Sequence, residues 1–141
     1  TQTAIGKRSG MTVNGNDYDT TDGSCIRDYI HVMDIAHAHT KAISKSEAGE
    51  LQSDCEIFNL GTGTGVSVLE LIRTFEKVSG VKLNYKIGPR REGDVIAVYA
   101  DNEKARTALG WEPVYSIEDM MDTAWKWEQQ LARTAQKVML N

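Results

Sequence analysis

A helix with clear start and stop signals lies near the middle of the chain, and extended segments flank it on both sides. Ser67 followed by Glu70 predicts an N-terminal capping box, and Gly80 stands where a glycine commonly ends a helix. Apolar residues recur between them at helical spacing, namely Val68, Ile72, Phe75 and Val78. Short strands are expected before this helix at 56–60 and after it at 81–87. This order of strand, helix and strand predicts an α/β chain.

The rest of the chain continues the alternation. Further strands are expected over 25–32 and 95–99, and further helices begin with Asp34, Asp101 and Ser116 as caps. Polar, glycine-rich loops are expected over 14–24, 44–54 and 88–94. The last helix is expected to turn an apolar stripe that includes Trp125 and Trp127 toward a core, and to fray from about Leu131. With 141 residues, 40% of them hydrophobic, the chain is long enough for one domain.

The charge balance excludes several classes of partner. The chain has 16 lysines and arginines against 20 acidic residues, a net charge of -4, so the basic surface of a nucleic-acid-binding protein is not expected. Any anionic ligand must instead be held by a few well-placed arginines. No apolar run approaches the roughly 20 residues that cross a bilayer, so no membrane segment is expected.

The cysteines and histidines do not predict a metal or disulfide framework. Cys25 and Cys55 form no Cys-x-x-Cys pair, which favours a reduced, cytoplasmic protein. His37 and His39 lie on different faces of a predicted helix, and His31 precedes it, so no tetrahedral metal site is expected.

A glycine-rich turn at 61–65 invites comparison with nucleotide-binding loops. Gly61, Gly63 and Gly65 follow a predicted strand and precede a helix, the setting in which backbone amides hold a pyrophosphate. The dinucleotide fingerprint, however, requires G-x-G-x-x-G and an acidic residue about 20 positions later, and neither is present. We therefore expect a plain turn that caps a helix, and no cofactor-binding residue in this chain.

Two pairs of residues have the chemistry of a nucleoside diphosphate site. Arg27 and Tyr29 lie two apart on a predicted strand, so both side chains leave the same face and can converge on one ligand. Arginine suits phosphate oxygens, and a phenol suits a sugar hydroxyl. Arg91 and Asp94 combine a guanidinium with a carboxylate in one loop. A solvated strand end and an exposed charged turn remain the alternatives for these two pairs.

Three blocks in a fixed order together resemble the UDP-glucose 4-epimerases. The first runs from Gly15 to Ala36 and contains Arg-Asp-Tyr-Ile-His-Val at 27–32. The second is Phe-Asn-Leu-Gly at 58–61, and the third is Pro-Arg-Arg-Glu-Gly-Asp at 89–94. The resemblance covers nearly the whole chain. It implies the carboxy-terminal, substrate-binding portion of an extended short-chain dehydrogenase/reductase, a Rossmann-type fold whose amino-terminal nucleotide-binding sheet lies outside this sequence.

The same resemblance implies a role for each candidate site residue. Residues 1–141 are expected to form the UDP-sugar-binding domain, with 25–45 packing on the Rossmann domain. In the family, the residues matching Arg27 and Arg91 contact the diphosphate, and those matching Tyr29 and Asp94 contact the ribose region. Backbone contacts to the uracil are expected from Thr12, Val13 and Asn14, because Asn14 replaces an apolar or aromatic residue. Val98 matches the position that limits bulk at the second carbon of the sugar, so use of N-acetylated UDP-sugars is also expected.

The resemblance further implies an NAD-dependent isomerase of galactose metabolism, acting on UDP-glucose and UDP-galactose as a cytoplasmic homodimer. The family's catalytic tyrosine is followed four residues later by a lysine that lowers its pKa. None of the five tyrosines here has a lysine at that spacing, so no catalytic residue is assigned, and this chain alone is expected to be inactive with its NAD site elsewhere. Two alternatives remain open: another NAD-dependent sugar-nucleotide epimerase or dehydratase, and a non-catalytic UDP-binding module.

Overall fold

The computed structural model describes residues 1–139, with side chains described through residue 135. Five strands and four helices are interspersed over this range: β1 (Met11–Asn14), β2 (Ile26–Arg27), α1 (Val32–Glu47), β3 (Val66–Ser67), α2 (Val68–Ser79), β4 (Tyr85–Gly88), β5 (Ala97–Val98), α3 (Glu103–Leu109) and α4 (Ile117–Met139). The predicted α/β class is confirmed. Across residues 1–139, no helix is both long and apolar enough to cross a membrane.

The strands form two small sheets. β1 and β4 pair in parallel, with Asn14 opposite Gly88. β2 lies between β3, to which it is antiparallel, and β5, to which it is parallel, with Arg27 opposite Val98. Because parallel strands end at the same edge of a sheet, the polar loop that follows β1 and the loop that follows β4 start side by side. This topology places residues 12–14, predicted to contact the uracil, beside the loop 88–94, predicted to contact the diphosphate and ribose.

Two groups of buried residues form the core. In one, Trp111 packs with Ala38 of α1 and with Ala105 and Leu109 of α3. In the other, Val13 of β1 packs with Leu69 and Ile72 of α2. Helix α2 also packs along α4, where the rings of Phe75 and Trp125 are nearly perpendicular and their centroids lie 5.8 Å apart. Trp127 on the same helix is 63% exposed, so its expected place in the core was wrong.

The helix caps show which start signals were interpreted correctly. The Ser67 hydroxyl accepts a hydrogen bond from the Glu70 amide, and Gly80 ends α2 with φ 71°. Ser116 caps α4, as predicted, and forms a reciprocal capping box with Asp119. Asp101 accepts from the Glu103 amide, although the N-cap position of α3 is the next residue.

Asp34 was wrongly predicted to cap α1. The helix begins earlier, at Val32, and the ring of His31 accepts the capping hydrogen bond from the Met33 amide. Asp34 lies in the first turn and is fully buried, and its carboxylate accepts hydrogen bonds from the amides of Val114 and Tyr115. The carboxylate therefore anchors a distant connector to α1.

Three extended or terminal segments also differ from expectation. The strand predicted over 25–32 is ordered as a strand only at Ile26–Arg27, because β3 and β5 each offer it only two residues. The segment 56–60 pairs with no strand among the residues described. The fraying expected from Leu131 is contradicted as far as Met139, where α4 ends, and the last two residues lie outside the described part.

Candidate functional site

One cleft collects six of the eight predicted substrate-binding residues. Its volume is about 260 Å³, and its wall is formed by Thr12, Asn14, Cys25, Arg27, Tyr29, Val68, Arg91 and Asp94. Strand β1 supplies the first two of these, the segment of β2 supplies the next three, and the loop after β4 supplies the last two. Residues 25, 27 and 29 line the same cleft, the alternation expected of extended chain, although only 26 and 27 are paired as a strand. Cys25 was missed in the sequence, although the same period-two spacing reaches it.

Asp94 joins the two arginines of the cleft. Its Oδ1 accepts from Nη2 of Arg91 at 2.7 Å and from Nη2 of Arg27 at 3.2 Å. The side chain of Asp94 is only 8% exposed, whereas those of Arg27 and Arg91 are 27% and 69% exposed. The Arg91 guanidinium, through its hydrogen bond, is the main cause that holds the pKa of Asp94 below its usual value, and Arg27 adds to the effect. Asp94 is therefore a carboxylate at neutral pH, and the cleft retains a net positive charge from its two arginines.

The guanidinium of Arg27 is fixed by the backbone as well as by Asp94. Its Nη1 donates to the carbonyl oxygens of Ile26 at 2.7 Å and Val95 at 3.0 Å. Burial raises the pKa of the neighbouring Tyr29, while the positive charge of Arg27 opposes that rise. The cleft thus contains a preorganised guanidinium beside a neutral phenol, groups that suit phosphate and hydroxyl oxygens respectively.

The two remaining predicted site residues lie elsewhere. The side chain of Val13 is 1% exposed and lies in the core, so only its backbone could contact a ligand. Val98, which is 52% exposed, lines a second cavity of about 460 Å³ whose wall also includes Arg27, Asn59 and Leu60. Arg27 lines both cavities, so the two are neighbours.

Arg90 lies next to the cleft without lining it. Its Nε donates to Asp17 at 2.8 Å, and its guanidinium carbon lies 4.3 Å from the centre of the Tyr18 ring. These contacts tie the loop 88–94 to the loop 14–24 and leave Arg91 to face the cleft. The two adjacent arginines therefore have different surroundings, and the one that lines the cleft is Arg91, to which the resemblance gave the diphosphate contact.

The glycine turn at 61–65 does not fit a dinucleotide pyrophosphate. The amides of Thr62 and Gly63, which would have to face the phosphates, donate to the carboxylate of Asp28. Over the residues that the structure describes, no three histidine, cysteine or acidic side chains are grouped so as to hold a metal ion.

The chain has parallel strands that end beside a cleft containing two arginines. This is the arrangement of the Rossmann-type α/β proteins, whose ligands lie at the carboxyl ends of the strands. Within that class, the chain belongs to the family described as GDP-mannose 4,6 dehydratase, whose model matches residues 1–124.

The resemblance to the UDP-glucose 4-epimerases within this family is confirmed. The chain is 48% identical to human UDP-glucose 4-epimerase over 129 residues, which are 92% of this chain and 36% of that protein. The chain thus spans about a third of the length of this relative.

Solved structures agree with the sequence comparison. A UDP-glucose 4-epimerase from Stenotrophomonas maltophila, crystallised with NAD and formylated UDP-arabinopyranose, is 42% identical with a TM-score of 0.87, over 94% of this chain and 39% of that one. The UDP-Glc/GlcNAc 4-epimerase of Campylobacter jejuni is 41% identical with a TM-score of 0.81, over 92% and 38% of the respective chains.

Proposed function

We propose that this chain is the carboxy-terminal, UDP-sugar-binding part of an NAD-dependent UDP-glucose 4-epimerase, which interconverts UDP-glucose and UDP-galactose in galactose metabolism. The observation that carries the proposal is the convergence of Arg27 and Arg91 on one cleft that also contains Tyr29. Support comes from relatives with that activity and from the structural neighbour that holds NAD and a UDP-sugar derivative.

The binding chemistry follows from the cleft. Two guanidinium groups can donate to the oxygens of a diphosphate, and charge-assisted hydrogen bonds of this kind are stronger than neutral ones. Tyr29 and Asp94 can meet the hydroxyls of the ribose, and the backbone of 12–14 can meet the uracil. NAD supplies the hydride chemistry in the complete enzyme, held by residues outside this chain. The chain by itself is proposed to bind and orient substrate without catalysing epimerisation.

The exposed apolar side chains of α1 and its surroundings support a partner domain for this part of the chain. Val32 is 72% exposed, Ile43 is 59% exposed, and Ile57, in the unpaired segment 56–60, is 79% exposed. We propose that residues 25–45 pack on the nucleotide-binding sheet of the complete enzyme, since exposed apolar patches commonly mark interaction surfaces. The complete enzyme is proposed to be a cytoplasmic homodimer.

The reading frame that encodes this chain provides the direct test. Upstream of residue 1 it is expected to encode a Tyr-x-x-x-Lys pair and a glycine fingerprint, and its full-length product is expected to convert UDP-galactose into UDP-glucose. A full-frame product that binds UDP without forming the 4-epimer would contradict the proposal. Loss of water from the sugar would instead favour a dehydratase, the alternative that the name of the matched family brings forward.

Replacing Val98 by tyrosine is expected to remove the use of N-acetylated substrates by the full-frame product. Val98 is half exposed on the wall of the second cavity, where a larger ring would fill the space needed by an N-acetyl group. The ratio of kcat/KM for UDP-N-acetylglucosamine to that for UDP-glucose is expected to fall about fivefold or more, since a steric clash of this size costs about 1–3 kcal/mol and 1.36 kcal/mol is about tenfold in rate. Equal ratios for the wild type and Val98→Tyr would contradict the role of this residue, and Val114→Tyr, on the exposed connector, serves as the control.

A further inference from the structure

The carboxylate of Asp28 accepts four hydrogen bonds from two other segments of the chain. Its Oδ1 accepts from the amide of Thr62 at 2.9 Å and from the hydroxyl of the same residue at 2.6 Å. Its Oδ2 accepts from the amides of Gly63 at 3.2 Å and Ala100 at 3.1 Å. One side chain at the end of β2 therefore holds both the glycine turn and the residues that follow β5.

The segments that Asp28 joins lie in close contact with it and with each other. A Cβ added at Gly61 would overlap Oδ2 of Asp28 and would lie 2.6 Å from Cβ of Ala100. The carbonyl oxygen of Gly61 also accepts a hydrogen bond from Nδ2 of Asn102 at 2.8 Å. The turn is thus fixed from two sides, by the carboxylate and by the start of α3.

An ionised carboxylate suits this arrangement. Three of the four hydrogen bonds come from backbone amides, which can only donate, while the single hydrogen of the Thr62 hydroxyl lies within reach of both Asp28 and the carbonyl oxygen of Thr64. A carboxylate is acceptor-only, whereas the amide of asparagine would turn its NH₂ group toward at least one N–H donor. Burial by itself would raise the pKa of Asp28, but the hydrogen bonds from Thr62, Ala100 and Gly63 together lower it below the usual value. The group is therefore charged at neutral pH.

The joined segments are the walls of the second cavity. Asp28 and Ala100 line it, together with Leu60, which immediately precedes the glycine turn, and with Val98. Arg27, the residue before Asp28, lines both this cavity and the arginine cleft. A ligand whose diphosphate lies at Arg27 would place its sugar against walls whose spacing depends on Asp28.

We propose that Asp28 is a positioning residue for the sugar of a UDP-sugar, one that sets the shape of the second cavity without contacting the diphosphate. The inference rests on the proposed function and deepens it. It separates two tasks along β2: Arg27 holds the phosphates, and its neighbour fixes the walls around the reacting sugar. Removing the carboxylate should therefore affect turnover and leave the binding of UDP itself in place.

The test compares Asp28→Asn with wild type in the full-frame product. Calorimetry with UDP gives the affinity and the number of intact sites, and kcat for UDP-galactose is expressed per UDP-binding site. We expect the Kd for UDP to change by less than about threefold while kcat per site falls about tenfold to a hundredfold, because small misplacements of a substrate are costly. Thr62→Val, which removes a single hydrogen bond to Asp28, is expected to lower kcat less than Asp28→Asn does. Thr62→Ser, which keeps the hydroxyl, is expected to have a kcat near that of the wild type.

Asp34→Asn is the matched control. Asp34 is also a carboxylate that accepts hydrogen bonds from two backbone amides, but those belong to Val114 and Tyr115, neither of which lines the second cavity. This variant is expected to lower the melting temperature and keep kcat per site. An unchanged kcat per site in both Asp28→Asn and Thr62→Val, or equal losses of UDP affinity and turnover, would overturn the positioning role. A wild-type product that does not bind UDP would contradict the proposed function itself.

Discussion

Replacing Arg27 by alanine is expected to weaken the binding of UDP by the full-frame product about 10- to 100-fold. A hydrogen bond to a charged group contributes about 1.5–3 kcal/mol, and each 1.4 kcal/mol changes affinity tenfold. Arg27 is only 27% exposed and is held by the carbonyl groups of Ile26 and Val95, so it meets a ligand with little loss of side-chain freedom. The Arg91→Ala variant should lose less affinity for UDP than Arg27→Ala does, because the side chain of Arg91 is 69% exposed. Isothermal titration calorimetry measures both.

Arg106→Ala is the control for both variants. Arg106 lies on α3, is 55% exposed and pairs with Glu112 outside the cleft, so its removal should leave UDP affinity unchanged. A thermal melt of Arg27→Ala separates lost binding from lost folding, because that variant also leaves two carbonyl groups without their guanidinium partner. Near-wild-type affinity in a folded Arg27→Ala protein would contradict the assignment of this cleft to a diphosphate.

Replacing Trp111 by alanine is expected to lower the free energy of unfolding by about 3–5 kcal/mol, the range found for large aromatic residues in cores. The side chain of Trp111 is 1% exposed and packs against α1 and α3. Its Nε1 also donates to the carbonyl oxygen of Asp34 at 2.9 Å, a bond that alanine cannot make. Because domains are commonly stable by only about 5–15 kcal/mol, urea denaturation should detect the change readily.

Trp127→Ala provides the comparison, since the chemical change is identical and the side chain is 63% exposed. Exposed substitutions of this kind usually change stability by less than about 0.5 kcal/mol. Similar losses for both tryptophans would show that burial in the α1–α3 core is not what makes Trp111 important.

Local signals made the helices predictable. A capping hydrogen bond involves residues only three apart, so the starts of α2 at Ser67 and α4 at Ser116 could be recognised without knowledge of the fold. The prediction that Asp34 caps α1 was wrong because a carboxylate near a helix start commonly caps that helix, and the local sequence gave no sign of another role. Its actual partners, Val114 and Tyr115, lie 80 or more residues away in the chain, at a distance no local pattern encodes.

Strands and the site depended more on contacts between distant segments. The apolar pattern over 25–32 indicated extended chain, but the length of β2 is set by the partners β3 and β5. Period-two spacing predicted that Arg27 and Tyr29 share a face, and both line the cleft. Arg91, which lines it too, was assigned to the same ligand only through the resemblance to the UDP-glucose 4-epimerases. The bridge that Asp94 makes between the two arginines could not be predicted, because it requires the relative position of β2 and the loop after β4.

That bridge gives the cleft an internal counter-ion. Asp94 already neutralises part of the charge on Arg27 and Arg91, so an incoming anion gains only the difference between its own attraction to the arginines and that of the carboxylate. Chloride, with a single charge and no fixed geometry, has little to gain from the exchange. A diphosphate carries more charge over several oxygens and can engage both guanidinium groups while leaving Asp94 free to accept a hydroxyl. The competition built into the cleft is thus expected to favour multivalent ligands over the simple salts that surround them.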